Sequence, residues 1–363
     1  MKILHCIYDH IRNPWVAGGG AARVHEIYRR LSDRHEITVI CGRYPGARNY
    51  REEDVTYEFV GTGLNNYVLS TLCYAVHARG FLKNHAQAFD VIVEDFAPYN
   101  PLFSFRNKRN AIVQLHQKEG VQHLKKYFVF GGVFMLMESF YPKRFSYAVT
   151  ETSEALKKFG LGPGAVAIPN GFDPILLAEE PVDGDYVLFL GRFDVRQKGL
   201  DTLAEALKYS RCRLIIAGGG KDDSKTRSLF SGAVKTGRVE FAGFVSGRKK
   251  ADLIRECVFM VLPSRYEGQP VTVIESAACG KPVVVSDIPE LRYAVEAGFG
   301  LSFRMGDVTA LAEKMNFLLG DQDLRQEMGR KAREYARNFS WDAVARAHEE
   351  YLLGIKGETA RGA

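Results

Sequence analysis

Short apolar runs alternate with amphipathic runs along almost the whole chain. In the first half the apolar runs fall at residues 2–8, 37–41, 91–94, 111–115 and 147–150; in the second they recur at 186–191, 213–220, 239–244, 259–264 and 282–287. Strands that read as brief continuous apolar stretches are buried on both faces of a parallel sheet. With helical segments between them, the pattern predicts an α/β fold. The rhythm breaks once, at PNGFDP after Ile168, where two prolines and an Asn-Gly pair interrupt it. The expected organisation is therefore two doubly wound domains, 1–168 and 169–340, followed by a C-terminal helix within 341–363. That helix is expected to pack back on the first domain and to end in a disordered polar tail, KGETARGA.

The chain's 363 residues suit two domains of ordinary size. The six cysteines show no CxxC pair or metal-ligand spacing, so buried thiols in a reducing compartment are expected, with neither disulfides nor zinc. The first residues, MKILHCIYD, hold too short an apolar run for a signal peptide and read as a strand. The most apolar stretch, residues 127–137, is shorter than the ~20 residues a membrane span needs and is expected to be a buried helix. Charge is unevenly placed: residues 1–168 carry 21 Lys+Arg against 15 Asp+Glu, and residues 169–363 carry 28 of each. The basic excess thus lies wholly in the first half.

Candidate chemistry concentrates in the second half. GRFDVRQKG, residues 191–199, directly follows a strand, which places Arg192 and Lys198 at the ligand edge of a doubly wound sheet. Arginine grips phosphate oxygens with a planar fork and lysine adds a mobile point charge. A second segment, SRYEGQPVTVIESAACGKPVVVSD, runs from strand through loop to helix and on to strand. Its loop carries Glu267 and Gly268, Pro270 opens the helix, and the N–H groups of Val271 and Thr272 stand at an anion-attracting helix start. Glu275 lies about one turn inside, so phosphates capping this helix would meet a hydroxyl-accepting carboxylate on either side.

Glu267 and Glu275 with seven residues between them, Arg192, Lys198, the PNGFD linker and AGGG at 217–220 together resemble the retaining glycosyltransferases of family 4, the glycosyl transferases group 1. The resemblance implies a GT-B fold, two Rossmann-like domains with the active site in the cleft between them. It implies that Arg192 and Lys198 bind a donor diphosphate, that Glu267 touches sugar hydroxyls and that Glu275 binds ribose hydroxyls. Gly18-Gly19-Gly20, before a helix starting near Ala21, corresponds to a glycine loop facing that cleft, with Gly19 and Gly20 as donor contacts. His116 stands where the family often has a histidine beside an aspartate, here Gln117, and is taken as a catalytic contact. Asp9, His10 and Asp95, also near strand ends, read as loop polarity.

The implied activity is a metal-independent hexosyltransferase with no cofactor beyond its substrate, a nucleotide-sugar such as a UDP- or GDP-hexose. The expected acceptor is a glycan or a lipid-linked or other cell-envelope molecule. The alternatives are a soluble-acceptor synthase or nucleotide-sugar epimerase of the same fold, or a non-catalytic nucleotide-sugar-binding protein. A Rossmann oxidoreductase is disfavoured because GGGAAR lacks the GxGxxG spacing. The basic residues Arg79, Lys83, Arg106, Lys108, Arg109, Lys118, Lys125 and Lys126 suggest peripheral contact with an anionic membrane at its inner face, the protein being otherwise cytoplasmic. Nucleic acid is not expected, since no recognition motif accompanies them. Closure on the donor would use PNGFDP as a hinge.

Overall fold

The structure is a computed structural model and describes residues 1–15, 18–127, 130–178 and 180–361. It divides into two compact units, one of Met1–Pro169 with Asp342–Ala363, the other of Asn170–Trp341.

In the first unit the strands are β1 (Lys2–Ile7), β2 (Glu36–Gly42), β3 (Tyr50–Glu52), β4 (Val55–Val60), β5 (Val91–Asp95), β6 (Ile112–Leu115), β7 (Tyr147–Thr150) and β8 (Ala165–Ala167). The helices are α1 (Gly19–Leu31), α2 (Tyr67–His85), α3 (Gln122–Tyr127), α4 (Gly131–Phe140) and α5 (Ser153–Phe159). The sheet order is β3-β4-β2-β1-β5-β6-β7-β8, parallel except that β3 runs against β4. Strand order reverses between β1 and β5, and a doubly wound sheet opens its ligand crevice at such a point. α1 forms because Ala21, Val24, Ile27, Tyr28 and Leu31 recur at helical spacing and are all buried. It begins at Gly19, two residues before the expected start.

The second unit holds β9 (Tyr186–Leu190), β10 (Arg213–Ala217), β11 (Val239–Gly243), β12 (Met260–Leu262), β13 (Val283–Ser286) and β14 (Gly300–Phe303). Between and after them come α6 (Val195–Lys198), α7 (Leu200–Ala206), α8 (Asp223–Lys235), α9 (Gly247–Arg255), α10 (Val271–Ala278), α11 (Arg292–Glu296), α12 (Val308–Gly320) and α13 (Gln322–Ala336). The order β11-β10-β9-β12-β13-β14 is wholly parallel and reverses between β9 and β12. Leu188, Phe189, Val261, Leu262 and Val284 in its middle are fully buried, which is why these strands read as unbroken apolar runs.

Two expectations change. Beyond α13 the chain forms α14 (Trp341–Arg361), so helix continues as far as Arg361, into the tail expected to be disordered. Its stretch Lys-Gly-Glu-Thr-Ala-Arg contains one glycine and no proline, too little to stop a helix. The apolar stretch at 127–137 is not a buried helix either. Residues 128 and 129 lie outside the described ones; Phe130 just before α4, and Val133, Leu136 and Phe140 on it, are exposed, because only one side of a ten-residue helix can meet the rest of the unit. Among the described residues no helix is long and apolar enough to cross a membrane. The part of PNGFDP that belongs to the second unit is fastened to that unit. Asn170, Gly171 and Phe172 are buried; Phe172 N–H donates to Phe339 O at 3.0 Å and Phe172 O accepts from Trp341 N–H at 3.2 Å. A side chain at Gly171 would meet the Trp341 ring at 2.7 Å.

Candidate functional site

In the second unit the candidate residues gather where β9 and β12 end. After β9 the chain turns through Gly191-Arg192-Phe193 into α6, capped by Asp194, whose carboxylate accepts from Gln197 N–H at 2.9 Å. The AGGG segment after β10 braces this turn: Gly219 O accepts from Phe193 N–H at 2.8 Å. Gly218, at φ 137°, could not carry a side chain, since its Cβ would run into the Gly191 carbonyl. Arg192 emerges exposed, with Nη2 donating to Gln197 Oε1 at 3.0 Å.

Lys198, the last residue of α6, is buried and its Nζ donates to Glu267 Oε1 at 2.6 Å. Ser264 Oγ, at the end of the strand segment, donates to the same oxygen at 2.6 Å. Among the described residues Glu267 Oε2 makes no hydrogen bond, so this carboxylate is held by one oxygen and offers the other. Gln269 fastens the loop: its side-chain Oε1 accepts from Asn170 N–H at 2.5 Å, and its backbone oxygen accepts from Asn170 Nδ2 at 2.9 Å. α10 then starts at Val271, with Pro270 at its N-cap. The N–H groups of Val271 and Thr272 head the helix, where intrahelical partners are lacking. Gly268, Val271 and Thr272 are half-buried. Glu275 is buried on α10 and paired with Lys250 of α9.

The structure thus brings Lys198 and Glu267 into direct contact and places Arg192 and the head of α10 at the ends of adjacent strands. Glu275 lies one turn along α10 with a cation of its own. The motif reading did not anticipate Ser264 or Lys250.

In the first unit, Asp9 after β1 accepts from His10 N–H at 2.7 Å and from Gly18 N–H at 2.8 Å, so it shapes the glycine loop rather than merely decorating it. Gly19 is exposed with open space where a Cβ would stand, whereas a Cβ on Gly20 would lie 2.9 Å from His116 Nε2. His116 follows β6 and has both ring nitrogens engaged: Nε2 lies 2.9 Å from both oxygens of Asp95, and Nδ1 is bonded to Glu151. Asp95 is therefore a partner of the predicted histidine, not loop polarity. His10 is buried among Tyr44, Tyr50, Tyr57 and Phe59, and burial pushes its pKa down to about 4. Of the basic residues, Arg79, Lys83, Arg106 and Arg109 are exposed. Lys108 and Lys118 are half-buried and donate to the carbonyls of Phe89 and Lys158. The side chains of Lys125 and Lys126 lie outside the described ones.

Residues 178–335, which span the whole β9-to-α13 framework of this site, match the family model for glycosyl transferases group 1. This segment is a group 1 glycosyl transferase domain. The chain is 32% identical over 211 residues to a phosphatidyl-myo-inositol mannosyltransferase of Mycobacterium leprae, covering 54% of this chain and 56% of that one. It spans about half the length of the curated relatives it matches. In fold it is similar over 98% of its length to all but 1% of a sucrose-phosphate synthase from Thermosynechococcus elongatus, with a TM-score of 0.83 at 20% identity. The Anabaena protein HepE, solved with UDP and glucose, gives 0.77 at 18% identity, over 98% of this chain and 100% of that one. The fold is GT-B, with two Rossmann-like parallel-sheet units.

Proposed function

We propose that this protein is a retaining, metal-independent hexosyltransferase that uses a nucleotide-diphosphate sugar and a glycan or lipid-linked acceptor. The observation that carries the reading is the group formed by Arg192, Lys198, Glu267 and the head of α10 at the switch point of the second sheet. In the transfer, the bond between the anomeric carbon and the diphosphate oxygen breaks with its electrons on the diphosphate. The acceptor oxygen takes its place on the same face, and its proton passes to the departing diphosphate oxygen. Negative charge grows on the leaving diphosphate, and Arg192, Lys198 and the N–H groups of Val271 and Thr272 supply fixed positive charge there. The free oxygen of Glu267 accepts from a sugar hydroxyl, and Glu275 serves the ribose side. UDP-hexoses are the first donors to test, by analogy with HepE. A phosphoinositide-type lipid is the first acceptor to test, by analogy with the mycobacterial mannosyltransferase.

Arg192 is exposed, so its removal tests chemistry without disturbing the core. Sugar transfer measured in chelator is expected to fall about a hundredfold or more in Arg192→Ala. Turnover close to wild type would overturn the diphosphate assignment.

An anionic membrane surface is part of the same reading. α2 and α4 lie over one face of the first sheet, sharing a core through Tyr74, Ala78 and Leu82 on one side and Met137 and Tyr141 on the other. α2 exposes Val68, Leu69, Leu72 and Val76 and contains no acidic residue; the one acid of α4, Glu138, is buried. Arg79, Lys83, Lys143 and Arg144 are exposed beside these stripes. Apolar side chains among cations suit a bilayer of anionic lipid. Flotation is expected with anionic vesicles, weaker with neutral ones, and reduced by Val76→Asp or Phe140→Asp; equal recovery with both vesicle types would remove the membrane from the proposal.

A further inference from the structure

Behind the glycine loop of the first unit, the ends of β5, β6 and β7 carry Asp95, His116 and Glu151. The carboxylates are buried, and the His116 side chain is 29% exposed. Parallel register makes the meeting inevitable: Leu115 pairs with Thr150, so the next residues, His116 and Glu151, face each other. An ionised carboxylate can only accept hydrogen bonds. With Asp95 on Nε2 and Glu151 on Nδ1, both ring nitrogens must carry hydrogen, and the ring is an imidazolium ion with no N–H left over for a ligand.

We propose that Asp95 and Glu151 are positioning residues of the transfer site: by occupying both ring nitrogens they fix the His116 ring as the seat on which Gly20 and the glycine loop rest. The proposal rests on the proposed function in one respect, that the glycine loop takes part in sugar transfer.

The surroundings fit this role. From β6, Gln114 Nε2 donates to Asp95 Oδ2 at 3.0 Å. From β1, His5 lies 3.7 Å from Asp95 and bonds to the Tyr28 hydroxyl of α1 at 2.9 Å. α1 also supplies buried Arg23, which donates to Pro169 O at 2.7 Å and Ile168 O at 2.9 Å, and α14 supplies buried His348. Burial pushes His5 and His348 below the usual histidine range, so they stay neutral. Burial would do the same to His116, but Asp95 and Glu151 outweigh it and raise its pKa well above the usual value. Two carboxylates thus balance two cations, His116 and Arg23, inside the unit. The described residues place no metal-binding group of three here.

The test reads the ring itself. In histidine-labelled full-length protein, with His116→Gln identifying the signal, NMR titration is expected to find His116 still protonated at about pH 7.5, a unit above an ordinary histidine. Asp95→Asn and Glu151→Gln, which keep side-chain shape, are each expected to lower that titration by about one unit or more. Each is also expected to lower kcat/KM for the donor about ten- to a hundredfold while acceptor KM stays unchanged. A wild-type His116 that is neutral at that pH overturns the clamp, whatever the activity. A shifted titration with unchanged donor kinetics overturns the positioning role. Absence of transfer from any nucleotide-sugar by the wild-type protein would overturn the functional reading and the transfer-site role with it, leaving the NMR result to judge the clamp alone.

Discussion

Each unit carries a cation against a buried carboxylate at the switch point of its sheet, yet the two are finished differently. Lys198 meets one carboxylate, Glu267, and its ammonium has three hydrogens to give. Neighbouring Arg192 uses one bond of its five-donor fork on Gln197. His116 meets two carboxylates with two hydrogens and has none remaining. The second unit therefore presents donors to an incoming anion, whereas the first spends its cation on its own framework. A charged residue near a strand end is a ligand contact only to the extent that the fold leaves its hydrogen bonds unspent.

The largest effect that could break this contrast lies in the Lys198–Glu267 pair. Both side chains are about nine-tenths buried, and removing one partner strands the other. Lys198→Met is expected to destabilise the second unit by about 3 kcal/mol and to abolish transfer, with only Ser264 left to hold Glu267. The double variant Lys198→Met, Glu267→Met removes both charges and is expected to recover most of the stability but none of the activity. Urea unfolding of the set decides it. A double variant no more stable than the single one would show that the two charges are not energetically coupled.

The same contrast explains what could be read before any coordinates. β1, β2, β5, β6 and β7 and the strands β9, β10, β12 and β13 announce themselves as apolar runs because parallel packing buries both their faces, whereas β11, at the sheet edge, is mostly half-exposed and shows only through its apolar composition. β3 and β4 were missed because Val55–Val60 alternates buried and half-exposed positions at the sheet margin. β8 and β14 were missed because three or four residues, with little to bury, leave no pattern. Arg192, Lys198, Glu267 and Glu275 were legible because short motifs hold them. Asp95 and Glu151 stand 21 and 35 positions from His116, and only the register of three parallel strands brings them to it. Lys250 reaches Glu275 from another helix, 25 positions away. Contacts of that kind are properties of the folded sheet, and composition or spacing does not encode them.

The smallest expected effect sharpens the contrast most finely, because it separates two adjacent glycines that look alike in GGG. Gly19 is exposed, and an added Cβ meets nothing within 4 Å. At the start of a helix, Gly19→Ala restricts the unfolded chain and is expected to raise stability by about 0.5 kcal/mol. If donor phosphate approaches this backbone, the same substitution lowers transfer despite the gain. Gly20→Ala drives its Cβ to 2.9 Å from His116 Nε2, and a ring held by two carboxylates has little room to retreat. A net loss of about 1 kcal/mol is expected there, overpacking outweighing the better helix propensity. Thermal melts of the two variants, compared with their donor kinetics, read the two effects separately. Equal stability in both would mean that the His116 ring yields and is not clamped. Unchanged transfer in Gly19→Ala would mean that the loop serves packing rather than the donor.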